Sequence, residues 1–146
     1  MGTMKILFVC RANVGRSQTA EALCRKIAPA DWEISSAGTR VIGKDGGSRD
    51  GQKLADLPGA EDVIVVLKEE GIDASENIRR QLTPGMVDAA DKIVVMAEPE
   101  TVPEYLKNSK KAIWWTVPDP KETSLGRHRE IKDMIRELVR SFVGSF

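Results

Sequence analysis

The chain has 146 residues, of which 41% are hydrophobic and 30% are charged, a composition typical of a globular protein rather than a disordered one. Its 22 Lys and Arg residues balance 22 Asp and Glu residues, so charge gives no reason to expect nucleic acid or a membrane surface as a partner. The longest apolar runs are too short to span a bilayer, and no signal-peptide pattern opens the chain. We therefore expect one cytoplasmic domain over residues 1–146.

The first apolar run, Lys5 to Val9, predicts a strand that is buried on both faces. A helix is expected to start close to Arg16 and Ser17, and Pro29 stops its pattern. The stretch from Trp32 to Ser36 alternates between apolar and polar residues, which predicts a second strand.

The middle of the chain is less regular. Gly, Asp and Lys predominate from Gly43 to Gly59, which predicts a surface excursion with a short helix near Gln52 to Asp56. The sequence leaves open whether this excursion forms a lid. The next segment, "EDVIVVLKEEG", has β-branched residues at its centre, but its leading acids, Lys68 and Gly71 indicate a helix.

The second half continues the alternation of helices and strands. A short helix is predicted at Pro84 to Ala90, and strands are predicted at Lys92 to Met96 and Ala112 to Trp115. Pro99 is expected to begin a short helix that reaches Lys107. An apolar stripe from Ile131 to Phe142 predicts the last helix.

This order of elements predicts an α/β fold of three layers, a mostly parallel sheet with helices on both faces. Ligands bind such sheets at the carboxyl ends of the strands, near a topological switch point. The loop after the first strand and the "TVPDP" stretch after the fourth both leave the sheet at this edge. We expect these two loops to converge.

The two cysteines of the chain, Cys10 and Cys24, belong to no C-x-x-C pair and to no Cys and His set with metal spacing. We therefore expect neither a zinc site nor a disulfide framework. Cys24 lies on the apolar stripe of the first predicted helix, which is typical of a core thiol. Cys10, by contrast, ends a strand beside a glycine-bearing loop.

The loop in "ILFVCRANVGRSQTAEAL" has the features of an oxyanion site. A loop wound over a helix N-terminus directs main-chain N–H groups inward, and the helix dipole adds positive potential there. This potential favours a thiolate at Cys10, the nucleophilic form of a cysteine. Arg16 is expected to bind two oxygens of the anion, and Ser17 to donate a hydrogen bond to the sulfur. The residues expected to bind the substrate are Arg11, Ala12, Asn13, Val14, Gly15 and Ser17.

Asp119, between Pro118 and Pro120, is the candidate general acid. Phosphoryl transfer to sulfur produces an alkoxide or phenoxide that needs a proton, and the same carboxylate then takes a proton from water. Such a reaction uses no metal and no other cofactor. The Lys-Ser/Thr ending of a nucleotide-binding loop is absent, which argues against an ATPase or GTPase.

These residues resemble the low-molecular-weight protein tyrosine phosphatase family, whose fold also includes thiol-coupled arsenate reductases. Cys10, Asn13, Arg16 and Ser17 match its Cys-x5-Arg-Ser motif, and further matches follow in family order at "SAGT", "EEGID", "RRQLT", "ADKIVVM" and Asp119 with its following proline. The resemblance implies a four-stranded parallel sheet of the flavodoxin-like kind and a cysteinyl-phosphate intermediate. It also implies that Ser36 helps Asn13 to hold the loop.

Several positions depart from the family. Lys121 and Glu122 stand where many of its phosphatases carry two aromatic residues, so a preference for phosphotyrosine is left open. Arg11 follows the nucleophile, which would favour an acidic substrate. Gly15 replaces a second cysteine found in many relatives. Met96 to Glu98 supplies none of the further thiols that some arsenate reductases use.

Simpler interpretations compete with these assignments. Arg16 could pair with Glu21 on the surface, and Asp119 could be a turn residue. His128, the single histidine, lies in a charged stretch and is expected to be solvated. The cations of the last helix are also expected to form a solvated face; they are Arg129, Lys132, Arg136 and Arg140.

The sequence leaves three possible functions to compare. The first is a phosphomonoesterase that acts on phosphorylated protein or on small aryl phosphates. The second is an arsenate reductase that uses an external small thiol. The third is a phosphate-binding module without catalysis. The presence of both Cys10 and Asp119 favours the phosphatase, while the physiological substrate and the oligomeric state are left open.

Overall fold

The computed structural model describes residues 3–121 and 123–146. Its centre is a parallel sheet of four strands in the order β2-β1-β3-β4. The strands are β1 (Lys5–Cys10), β2 (Glu33–Gly38), β3 (Lys92–Val95) and β4 (Ala112–Trp114). The helices are α1 (Arg16–Ile27), α2 (Glu61–Glu69), α3 (Pro84–Ala89), α4 (Glu104–Lys107) and α5 (Leu125–Gly144), with two 3₁₀ turns at Leu54–Asp56 and Pro99–Thr101.

The side chains on the two faces of β1 belong to two separate hydrophobic cores. Ile6, Phe8 and Cys10 point to the face covered by α1 and α5. Leu7 and Val9 point to the opposite face, which packs with residues of α3, β3 and α4. Side chains of successive strand residues point to opposite faces, so a continuous apolar run fits a strand that is covered on both sides. The expected α/β fold with three layers and a parallel sheet is therefore confirmed.

The ambiguous segment after the surface excursion is a helix, as the residues at its ends indicated. Its first turn carries Glu61 and Asp62, which complement the positive end of the helix dipole. Gly71 has a φ of +80°, the left-handed conformation that commonly ends a helix. Val63 and Leu67 pack this helix into a third core with Leu54 of the excursion.

The prediction of one helix from Pro99 to Lys107 is wrong. The chain forms a 3₁₀ turn, Pro99–Thr101, and then α4, which begins at Glu104. Pro103 explains the break, because a proline disfavours the helical conformation of the residue before it. Val102 is indeed extended, with φ −88° and ψ 127°.

Two expectations about α5 are also wrong. His128 is buried, with 8% of its surface exposed, and its Nε2 lies 3.7 Å from Oδ2 of Asp62 in α2. Lys132 is buried as well, and its Nζ lies 3.2 Å from Oε2 of Glu70. Both side chains occupy the interface of α5 with α2. A charged stretch in the sequence does not show which of its members face a neighbouring helix.

The strand order places β1 between its two neighbouring strands, β2 and β3. β1 pairs with β2 on one side and with β3 on the other. The sheet therefore has a topological switch point at the carboxyl ends of β1 and β3, where ligands of such sheets bind. Cys10 is the last residue of β1 at this point.

Candidate active site

Five residues, Arg11 to Gly15, connect Cys10 to Arg16, the first residue of α1. We call these five residues the anion loop. The carbonyl of Arg11 accepts a hydrogen bond from the N–H of Arg40 (2.8 Å), and other loop carbonyls have partners too. In the described part of the chain, the main-chain N–H groups of residues 11–15 donate to no acceptor. Because C=O and N–H of a trans peptide point in opposite directions, these donors face the interior of the loop.

Side chains fasten the loop from behind. Asn13, whose φ of +56° lies in the left-handed region that asparagine tolerates, is fully buried. Its Nδ2 donates to Oγ of Ser17 (2.8 Å) and to Oγ of Ser36 (2.9 Å). Ser36 in turn donates to Oε1 of Glu21 (2.6 Å). Ser17 Oγ lies 2.9 Å from Sγ of Cys10, and because it already accepts from Asn13, its hydroxyl hydrogen is free to donate to the sulfur.

Arg16 is almost completely buried, with 3% of its surface exposed. Its Nη1 donates to the carbonyl of Met96 (2.6 Å), to Oε2 of Glu98 (2.8 Å) and to the carbonyl of Val117 (3.2 Å). These contacts connect α1 to the loops that follow β3 and β4. Nε of Arg16 donates to none of the described residues. Nη2 donates to Oε1 of Glu98 at 3.4 Å. The guanidinium is therefore held by Glu98 and two carbonyls, while Nε stays available to a ligand.

The charges around Arg16 set its protonation. Burial alone lowers the pKa of Arg16, but the hydrogen bond with Glu98 and the negative charges of Cys10 and Asp119 outweigh it, so the pKa is raised. The pKa of Glu98 is lowered, chiefly because Arg16 donates to its carboxylate. Arg16 pairs with Glu98 rather than with Glu21, whose ion-pair partner is Arg25 at 3.0 Å.

The loop after β4, residues 116–120, reaches the anion loop; we call it the acid loop. Oδ2 of Asp119 lies 3.7 Å from Nη2 of Arg16, and its Oδ1 accepts from the N–H of Lys121 at 3.0 Å. A Cβ on Gly15 would lie only 3.0 Å from Cγ of Pro120. A glycine at this position therefore allows the two loops to touch. The predicted convergence of the loops is confirmed.

A cavity of about 250 Å³ opens above Cys10. Arg16 and Asp119 line it beside the cysteine, and Leu57, Pro58 and Val63 form an apolar wall. Residues 43–59, which were predicted as a surface excursion, supply much of the remaining wall, including Lys44 and Arg49. Ile42, which precedes the excursion, also lines the cavity. Lys121 also lines the cavity, whereas Glu122 lies outside the described residues.

The residues proposed from the sequence occupy three positions relative to this cavity. Those in its wall are Cys10, Ala12, Val14, Gly15, Arg16 and Asp119. Asn13, Ser17 and Ser36 are buried behind the anion loop and act on it through hydrogen bonds. Arg11 is exposed and does not line the cavity.

Sequence analysis missed three polar residues of the site. Glu98 had a usable signal, because it follows β3 at the same edge of the sheet as Cys10. Arg79 donates to the carbonyl of Ala12 from Nε and Nη2, both at 3.2 Å. His128 lines the cavity from α5. Arg79 opens the "RRQLT" stretch that resembles the family, but nothing in that stretch indicates its contact, and His128 carries no local signal. Long-range packing brings both residues to the site.

Two further features of the described residues concern metal ions and membranes. Within residues 3–121 and 123–146, no three His, Cys, Asp or Glu side chains are grouped as ligands for a metal ion. Among the same residues, no helix combines the length and the apolar character that crossing a membrane requires.

Comparison with known proteins agrees with this geometry. The family model "Low molecular weight phosphotyrosine protein phosphatase" matches residues 5–146. The chain is 26% identical to arsenate reductase 2 of Staphylococcus haemolyticus (strain JCSC1435) over 144 residues, 97% of this chain and 98% of that one. The structure of Vibrio vulnificus Wzb in complex with benzylphosphonate matches with a TM-score of 0.82 at 24% identity, over 99% of this chain and 100% of that chain. A low molecular weight protein tyrosine phosphatase from T. tengcongensis matches with a TM-score of 0.80 at 25% identity, with the same coverage. The chain belongs to the low-molecular-weight phosphotyrosine protein phosphatase family.

Proposed function

We propose that this protein is a cysteine-dependent phosphomonoester hydrolase that acts on protein phosphotyrosine or on small aryl phosphates. One observation carries the proposal: the N–H groups of the anion loop, which directly follows Cys10, donate to none of the described residues, and Arg16 lines the same cavity as Cys10. Hydrogen-bond donors that are fixed in place before the reaction stabilise the charge on a phosphoryl group during its transfer. The apolar wall of Leu57, Pro58 and Val63 suits the ring of an aryl phosphate.

In the first step, Sγ of Cys10 attacks phosphorus and the bond from phosphorus to the ester oxygen breaks. The electron pair of that bond goes to the leaving oxygen, which takes a proton from Asp119. The anion loop and Arg16 bind the three remaining phosphoryl oxygens throughout. The product of this step is a cysteinyl phosphate and a free alcohol or phenol.

In the second step, water attacks the phosphorus of the cysteinyl phosphate and gives a proton to Asp119. The bond from phosphorus to sulfur breaks, its electron pair returns to Cys10 as a thiolate, and inorganic phosphate is released. Ser17 donates a hydrogen bond to this sulfur at 2.9 Å and so makes it a better leaving group. Protons and electrons balance without a metal ion or another cofactor.

A second candidate, arsenate reduction, is favoured by the 26% identity to arsenate reductase 2 of Staphylococcus haemolyticus. Reduction of arsenate to arsenite needs two electrons, which two thiols supply when they form a disulfide. Apart from Cys10, the chain contains only Cys24. Cys24 is fully buried, and burial raises its pKa to about 12. The second thiol would therefore come from an external small molecule.

The test is hydrolysis of 4-nitrophenyl phosphate at about pH 6 with EDTA present, by the intact protein and by Cys10→Ser. We expect turnover by the intact protein and none by Cys10→Ser, because a hydroxyl is a far weaker nucleophile than a thiolate. The control variant is Cys24→Ser, which removes the other thiol of the chain and should retain turnover if it folds, as judged by circular dichroism.

Equal turnover by Cys10→Ser would refute covalent catalysis. If the folded wild-type protein hydrolyses no aryl phosphate but reduces arsenate with an added small thiol, the second candidate replaces the first. If it does neither but binds phosphate, the site is a binding module.

A further inference from the structure

Arg79 is a buried cation whose hydrogen-bond partners are all uncharged. Only 3% of its surface is exposed. Nε and Nη2 donate to the carbonyl of Ala12, and Nη1 donates to Oε1 of Gln52 at 2.7 Å. Within the described residues no carboxylate forms an ion pair with it. A buried charge without a counter-charge is costly, so an anion at this place would stabilise it.

Two cations of the excursion, residues 43–59, line the same cavity as Arg79. Arg49 lies close enough that its charge adds to the effect of burial in lowering the pKa of Arg79. Lys44 is exposed and has no ion pair among the described residues. Asp45 binds Arg49 at 2.9 Å and balances one of these charges. The cavity thus keeps an excess of positive charge on the side formed by residues 44–49 and Arg79.

The two cations of the excursion do not belong to the phosphoryl-binding centre, whereas Arg79 donates to the carbonyl of Ala12 in the anion loop. The phosphoryl group of a substrate has the N–H groups of the anion loop and Arg16, whereas Lys44 and Arg49 lie on the excursion that forms the cavity wall. A bridge between Ile42 and Ser48 closes this turn and fixes it beside the cavity. The same cavity also has the apolar wall described above. A ligand that enters the cavity therefore meets both apolar side chains and positive charge.

We propose that Arg79, Arg49 and Lys44 form a second anion subsite, which selects phosphopeptides with a Glu or Asp side chain next to the phosphorylated residue. The proposal rests on the proposed function and names its substrate class. A carboxylate fits this subsite because Asp45 balances only one of its three positive charges, and because Lys44 is exposed and lines the cavity. The buried Arg79 attracts the carboxylate electrostatically without contacting it, whereas the more exposed Lys44 and Arg49 contact it.

The experiment compares two phosphotyrosine peptides that are identical except that Glu residues flank the phosphotyrosine in one and Gln residues in the other. We expect the wild-type kcat/KM to be about tenfold higher for the acidic peptide, the range of hydrogen bonds to a charged group. In the double variant Lys44→Gln, Arg49→Gln, this ratio should fall to about one. The matched control is Lys107→Gln, Lys110→Gln, which removes two lysines that do not line the cavity and should keep the ratio.

A binding measurement makes the result independent of turnover. Calorimetry with Cys10→Ser, which keeps the anion loop, should give about tenfold tighter binding of the acidic peptide, and the double variant in the same background should lose this difference. Equal affinity of the two peptides, or a preference that survives in the double variant, overturns the subsite. Turnover of both peptides at one rate overturns the subsite but supports the phosphatase, whereas selective binding without any turnover refutes only the hydrolytic function.

Discussion

Asp119 lines the cavity, and its two carboxylate oxygens have different partners. Its Oδ1 accepts from the N–H of Lys121, which fixes the orientation of the carboxylate. Its Oδ2 lies 3.7 Å from Nη2 of Arg16, on the side of Cys10. A group that is to donate a proton must be within reach of the leaving oxygen, and we propose that Oδ2 is the oxygen that carries this proton.

Substitution Asp119→Ala is expected to lower kcat by about 10² to 10⁴ for phenyl phosphate. The loss should be much smaller for 2,4-dinitrophenyl phosphate, because this leaving group departs without a proton. Steady-state kinetics on the two esters measures the difference, with Asp88→Ala as control, since Asp88 is an exposed carboxylate on α3. Equal losses on both esters would mean that Asp119 is not the acid.

At the scale of elements, two glycines set how closely the loops of the site approach each other. Gly38 ends β2 opposite Cys10. A Cβ on Gly38 would lie 2.7 Å from the carbonyl oxygen of Arg11 and 2.8 Å from the main-chain N of Asn13. The anion loop thus rests directly on the main chain of the neighbouring strand. A Cβ on Gly15 would likewise lie close to the acid loop, 3.0 Å from the side-chain Cγ of Pro120.

Substitution Gly15→Ala is expected to move the acid loop away from the anion loop by a few tenths of an ångström. Because proton transfer depends on position, kcat for phenyl phosphate should fall by about tenfold. Inhibition by inorganic phosphate should change little, since phosphate contacts the anion loop and Arg16. The control is Gly85→Ala in α3, where a Cβ meets only Thr83 Oγ1, at 3.8 Å. A large loss of phosphate affinity in Gly15→Ala would show instead that the anion loop itself is distorted.

At the scale of the whole molecule, ion pairs connect α5 to α2 beneath the site. Glu70, just after the last residue of α2, pairs with Arg136 and with Lys132 of α5. Glu69 accepts from Arg129 at 2.7 Å. This interface also carries His128 beside the cavity. The position of α5, and so of the cavity wall it supplies, depends partly on these contacts.

The Glu70 pairs are expected to make stability depend on pH. The hydrogen bond from Arg136 outweighs burial and lowers the pKa of Glu70 below its ordinary value. This contribution is therefore complete above the unfolded pKa of about 4.3 and is lost as the pH falls through the lower, folded pKa. At pH 7, Glu70→Gln should lower the free energy of unfolding by about 1 kcal/mol.

Urea unfolding at pH 7 and at pH 3 measures this dependence. The difference between wild type and Glu70→Gln should shrink at pH 3, where the carboxylate is increasingly protonated. The control, Glu100→Gln, changes an exposed carboxylate that has no ion pair among the described residues. A difference that stays constant between the two pH values would show that the charge of Glu70 does not stabilise the fold.

Much of this molecule follows from local patterns in its sequence. The apolar run at Lys5 to Val9 predicts a strand covered on both faces, because its alternate residues must be buried on opposite sides. The cysteine, the glycine-bearing loop and the arginine that follow predict an oxyanion site at the start of α1, because a helix N-terminus carries free N–H groups wherever it occurs. The convergence of the two loops follows from the parallel sheet, because the carboxyl ends of parallel strands lie at one edge. The strand order β2-β1-β3-β4 is known only from the structure.

Only the tertiary structure decides which side chains from distant segments meet. Glu98 binds Arg16, Arg79 binds the carbonyl of Ala12, and His128 is buried against α2 rather than solvated. The break at Pro103 and the place of Glu98 at the edge of the sheet were readable from the sequence, but the partners of these polar side chains were not. Hydrophobic periodicity states only that a face is buried, whereas the partner of a buried polar group depends on how helices and loops pack, and that is determined by the chain as a whole.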